Sequence, residues 1–262
     1  MFGHILVDFL FCLTFGIATA MALTDARQVT SGFFRVHLWV LLGVQTLAAL
    51  TLFAPSHSGR HAWMLSGQFW LAVASAVLCY IGAVIWIYER AALGKAAIAA
   101  VAACSLAALT LPIAARLPRE FAWQLAGRIT GGWLLGFVVT AMLLGHWYLN
   151  TPTMKLAPLN RLILLLAAAV AARVLVCGLG LFLENGMHPD APLLSWRRWM
   201  LFIALRWLAG ILGVGLLAGL TGQTLKIPNT QSATGILYAA VILAFIGELM
   251  SQLLSAAAHY PV

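Results

Sequence analysis

Residues 159–183 read LNRLILLLAAAVAARVLVCGLGLFL, and between Arg161 and Glu184 this run holds a single charged side chain, Arg173. About 20 apolar residues are enough to cross the ~30 Å hydrocarbon core of a bilayer. No water reaches the backbone there, so the segment must satisfy its own amides as a helix. Seven further stretches have the same character: 4–24, 33–53, 65–88, 96–115, 125–149, 196–221 and 235–257. The chain therefore reads as an all-α integral membrane protein of about eight transmembrane helices.

Composition agrees. Of 262 residues 63% are hydrophobic and 8% are charged, and the mean hydropathy is +0.98. Soluble domains carry about 25% charged residues, so this chain lacks the residues for a polar skin. Its net charge of +8 comes from Lys and Arg at the ends of apolar runs, where they anchor helices at head groups. With no basic domain, nucleic acid is excluded as a partner. Met1-Phe2-Gly3-His4 has no basic segment ahead of the first apolar run, so the reading is a first membrane helix and not a removable signal peptide. Cys12, Cys79, Cys104 and Cys177 all lie inside apolar runs without CxxC spacing and read as small buried hydrophobes. The localisation expected is multi-pass, in a bacterial inner (cytoplasmic) membrane.

An even helix number puts both ends of the chain on one side, side A, with the turns after helices 2, 4 and 6. Arg60, Arg116, Arg119, Arg128, Arg197 and Arg198 flank side A; Arg27, Arg35, Arg90, Lys95, Lys155, Arg161 and Lys226 flank side B. The two sets are balanced, so positive charge does not select an orientation. Helix 1 ends Thr19-Ala20-Met21-Ala22-Leu23-Thr24-Asp25, and helix 5 ends Thr140-Ala141-Met142-Leu143-Leu144-Gly145-His146. That similarity predicts two four-helix bundles in parallel repeat, residues 1–118 and 119–262, with no extramembrane domain.

Ionisable groups within the hydrocarbon zone are costly unless paired or hydrated, which makes each a functional candidate. Asp8, Arg173, Arg206 and Glu248 are four such groups, all in the half nearer side A. The last three lie about 12–15 Å deep at ~1.5 Å per residue. Two readings stay open: an ion-pair network locking the helices together, or a polar pocket for a quinone head group or a proton path. His37 and His146 both fall at side B. They are the one helix-borne pair whose sidedness suits a haem b, which needs two imidazoles at matched depth; the competing reading is interfacial rings, as in His146-Trp147-Tyr148. His4, His57, His61, His188 and His259 cluster toward side A with Met64 and Met187, but without the spacing of a metal site. Gly215-x-x-x-Gly219, with Gly210, Gly213 and Gly222, predicts a smooth packing face, and Pro112 a helix end. No phosphate-binding loop, nucleophile elbow or metalloprotease motif occurs.

Phe245-Ile246-Gly247-Glu248-Leu249-Met250 in the last helix resembles the Gly-Glu-Leu segment of the NrfD/DmsC-type polytopic membrane subunits of quinone-linked oxidoreductases. His4 at the head of helix 1 is similarly placed to a histidine in some members. The resemblance covers these patches and the helix count. It implies two four-helix bundles without haem, a quinone or quinol site lined by Glu248 and His4 beside Asp8, Arg173 and Arg206, and a redox protein as partner. The function expected is thus an integral membrane subunit of an electron-transfer complex, anchoring partner subunits and contacting quinone. The alternatives are a haem b cytochrome subunit using His37 and His146, a small-solute or metal-ion transporter, and a purely structural membrane subunit.

Overall fold

A computed structural model describes residues 2–54, 66–114, 117–151, 154–187, 196–227, 229–255 and 260–261. Within them the chain is helical: α1 (Phe2–Leu23), α2 (Ser31–Phe53), α3 (Gly67–Ile87), α4 (Ala91–Thr110), α5 (Pro118–Asn150), α6 (Ala157–Met187), α7 (Trp196–Leu205), α8 (Val214–Leu225) and α9 (Thr230–Ser255). α7 and α8 are joined by a π-helical stretch, Arg206–Gly213, into one span. Among the described residues eight spans are long and apolar enough to cross a membrane, and the protein is an all-α, multi-pass membrane protein.

The helices pack as two rings of four. α1, α2, α3 and α4 each touch the next, and α4 returns to α1; α5, α6, the α7–α8 span and α9 repeat that order, with α9 returning to α5. The rings meet chiefly through α1 and α5. These two helices are the core: 72% of each apolar window is buried, against 22–39% in the other six spans. Glycine permits their contact. A Cβ on Gly16 would collide with the backbone of Gly132 and Gly136, and one on Gly136 with that of Gly16, so the helices touch backbone to backbone as small-xxx-small motifs allow.

The packing glycines are therefore Gly132-x-x-x-Gly136 on α5. The glycine face expected from the sequence on the seventh span packs in part: Cβ positions on Gly213 and Gly215 lie 2.8 Å from Leu243 and 3.3 Å from Val170, whereas Gly219 is exposed and has nothing within 4 Å. Gly210 does serve as a close approach, with its Cα against that of Gly247 on α9. It lies inside the π-helical stretch, whose wider turn was not foreseen in the run 196–221. Such stretches are frequent at functional sites, and this one begins at the buried Arg206.

Polar side chains close the helix ends. Lys95 on α4 donates from Nζ to Met21 O (2.7 Å), Ala22 O (2.9 Å) and Thr24 O, and so caps the C-terminus of α1. The helical backbone ends at Thr110 and tightens into a 3-10 turn, Leu111–Ile113, at Pro112. Lys95, counted from the sequence with the flank charges of side B, therefore has a specific structural seat.

Candidate functional site

Each buried charge has a specific seat. Glu248 projects from α9 toward α5, where Gly131 leaves the room: a Cβ there would stand 2.5 Å from Glu248 Oε1. Arg173, from the middle of α6, reaches the same point. Its Nη2 donates to Glu248 Oε1 (2.9 Å), Glu248 Oε2 (2.7 Å) and Ser251 Oγ (3.1 Å). Its Nη1 donates to Gly127 O and to Thr130 Oγ1 (3.1 Å). Arg206 approaches from the other flank, with Nη1 3.9 Å from Glu248 Oε2. It also donates to Gly247 O (3.4 Å) and from Nη2 to Cys177 Sγ (2.7 Å). Arg173 and Arg206 are 1% exposed and Glu248 4%, so a carboxylate sits between two guanidiniums inside the helix bundle.

A second pair lies one layer outward. Arg128 on α5 contacts Asp8 on α1 at 3.1 Å, and its Nη1 donates to Leu109 O at 3.0 Å near the end of α4. Both partners are half-buried. Asp8, Arg173, Arg206 and Glu248, the four charges expected to converge, thus do so within the protein. The sequence reading missed Arg128, which it counted only as a flank charge although it lies inside the run 125–149. With it the cluster holds three guanidiniums against two carboxylates, a formal balance of +1.

The two pairs share a cavity of about 280 Å³ lined by His4, Asp8, Cys12, Arg128, Arg173 and Glu248 together with Gln124, Gln252 and other side chains. His4 is exposed at its mouth. One wall was not foreseen. Tyr260 and Pro261 fold back against the bundle, and Tyr260 N donates to Glu184 Oε2 at 3.0 Å. Pro261 packs on Gly127 and Gly180. Nothing in the local sequence signals that return, because it is set by two glycines on different helices.

The helix-borne histidines occupy distinct environments at the other end. His37 is buried, with Nδ1 2.5 Å from Phe33 O. Since a carbonyl only accepts, Nδ1 carries the proton. Its ring lies 4.1 Å from that of Phe33 and 6.3 Å from Trp147. His146 is exposed, with Nδ1 3.5 Å from Tyr238 Oη. The contacts of the two rings are thus separate, His37 turned into the core and His146 toward α9. His57, His61, Met64, His188 and His259, and the side chain of Met187, lie outside the described residues.

Compared with protein-family models, curated proteins and solved structures, the chain has no match.

Proposed function

We propose that this protein is a membrane subunit of an electron-transfer complex, and that the cavity between α1, α5, α6 and α9 receives a quinone or quinol head group. The observation that carries the reading is the cavity itself. It lies within the membrane bundle, offers about 280 Å³, and is bordered by both kinds of group a quinone ring needs. Guanidinium and amide N–H groups face its carbonyls; the carboxylates of Asp8 and Glu248 and the imidazole of His4 face its hydroxyls when reduced. The likeness of 245–250 and of His4 to NrfD/DmsC-type subunits supports the same assignment. In this reading electrons reach the quinone from a partner subunit anchored by the protein.

The test uses the purified protein in nanodiscs with decylubiquinone and a short-chain menaquinone analogue, titrated by quenching of intrinsic fluorescence. Gln252→Leu and His4→Phe line the cavity without touching the Arg173–Glu248 pair. Each is expected to weaken binding by tenfold or more while leaving the melting temperature in place. Saturable binding that is indifferent to both substitutions would remove the quinone from this cavity.

One observation favours a second reading, a structural lock. Arg173 spends its Nη donors on Glu248, Ser251, Thr130 and Gly127, tying α5, α6 and α9 together. Under that reading Glu248→Gln lowers assembly but leaves electron transfer per assembled complex unchanged.

A further inference from the structure

The first ring of helices contains polar side chains that the charged cavity does not use. Gln45 on α2, Ser75 on α3 and Ser105 on α4 are each 0% exposed. Among the described residues, neither the amide of Gln45 nor either hydroxyl finds a hydrogen-bond partner. Thr14 on α1 is likewise 0% exposed and unpartnered. Almost all buried polar groups in proteins are satisfied, and in a membrane bundle bulk water is not at hand.

Register brings three of them together. Gly82 on α3 faces Leu38 on α2 and Ala97 on α4, with gaps of 3.1 and 3.2 Å from its Cβ position. From that common level, Gln45 is seven residues along α2, Ser75 seven along α3 and Ser105 eight along α4, all toward side A. Seven residues are two turns, about 10 Å, and return to the same helix face. Three residues nearer side A stand Ala48, Ala72 and Ala108; four residues the other way stand Leu41, Cys79 and Val101. All six are 0% exposed. The ring is therefore layered: small alanines outside, the polar layer, then larger side chains closing it below. Thr14 joins from α1. Gly16 faces α5, and a residue two places back is turned some 200° away, into the first ring.

The layers lead to an opening. Beyond the alanines lies a second cavity, about 440 Å³, lined by His4, Asp8, Ser66, Gln68 and Pro112 among others. Gln68 and Pro112 are seven residues from Ser75 and Ser105, on the same faces. Gln68 Nε2 donates to Ala108 O at 3.1 Å, so a polar contact already reaches the alanine layer.

We propose that the first ring holds a second, uncharged binding site, in which Gln45, Ser75, Ser105 and Thr14 hydrogen-bond a small cluster of water molecules admitted from side A. The donor set selects the ligand. The Gln45 amide presents both N–H donors and a carbonyl acceptor, and each hydroxyl can do either, which suits a molecule that donates and accepts. A cation would face the amide N–H groups with no carboxylate to offset its desolvation. Alanine side chains, which add little bulk, stand between this layer and the side-A cavity, and Leu41, Cys79 and Val101 lie on its other side.

The test needs no reporter group, because Cys79 lies one turn below Ser75. X-ray radiolysis in H2-18O generates hydroxyl radicals from water in place, and mass spectrometry reads the oxidised side chains. On the protein in nanodiscs, Cys79 is expected to oxidise at a rate within tenfold of the exposed Tyr88, despite full burial. Ala72→Leu, which adds bulk to the alanine layer, should slow incorporation of 18O at Cys79 at least fivefold and leave Tyr88 unchanged. The doubly substituted Ser75→Ala/Ser105→Ala chain should lose most of the Cys79 signal. An unoxidised Cys79 in the unaltered protein overturns the proposal, and so does a signal that neither substitution changes. The first of these outcomes requires no variant to fold.

Discussion

Gly131 and Glu248 are matched: the carboxylate lies where a side chain on Gly131 would be, with Oε1 2.5 Å from the Cβ position. The site is thus cut into the backbone of α5 as much as it is built from charged side chains. Gly131→Ala should push Glu248 off its two guanidiniums. Overpacking of this kind costs about 1–3 kcal/mol, read as a lower melting temperature in detergent. Gly219→Ala, with nothing within 4 Å, is the control and should leave the melt unmoved. Equal effects at the two positions would remove the carboxylate's seat as the cause.

The Arg173–Glu248 pair should behave as a buried pair whose halves are worse apart than absent. Glu248→Leu or Arg173→Met alone strands a charge, at a cost of about 3–5 kcal/mol. The double substitution should recover most of that loss. Additive melting shifts across the cycle would show that the two side chains act independently.

Asp8 and Arg128 form the weaker contact. Their side chains are 23% and 19% exposed, so partial hydration screens the pair. Asp8→Asn is expected to cost about 1 kcal/mol or less, and any effect on quinone binding should exceed its effect on folding. A melt lowered as far as by Glu248→Leu would place Asp8 among the structural charges.

Gly16→Val and Gly136→Val should each separate α1 from α5. Because these helices meet at backbone level, the expected result is loss of folded, monodisperse protein on size exclusion. Retention of the native elution profile would contradict the close crossing.

Lys95→Met removes the donor shared by three carbonyls at the end of α1. Unsatisfied buried acceptors cost about 1–3 kcal/mol, so the melting temperature should fall. Lys95→Arg should restore part of it.

The helix count was legible because an apolar run of this length has few other physical solutions in lipid. Glu248, Arg173, Arg206 and Asp8 were legible for a related reason: charge at that depth is rare without a partner. What could not be read were the partners of backbone. Gly131, Gly132 and Gly127 look alike in a helix rich in glycine, and which faces Glu248, α1 or Pro261 depends on the helix's rotation. The π-helical turn after Leu205 is equally silent, since Arg206–Gly213, its two glycines included, reads as part of one continuous apolar run. Arg128 could have been found from its place inside the run 125–149. The layer Gln45–Ser75–Ser105 needed the register of three helices, fixed by the contacts of Gly82.

The Asp8–Arg128 contact also has a history. Arg128 is 120 residues later in the chain than Asp8, and at about 5–20 residues per second a ribosome adds it some 6–24 s after Asp8. Throughout that interval α1 must sit in or beside the membrane with an uncompensated carboxylate and with Gly16 unfilled. The insertion machinery, and not the finished bundle, has to shelter the first helix until its partner arrives.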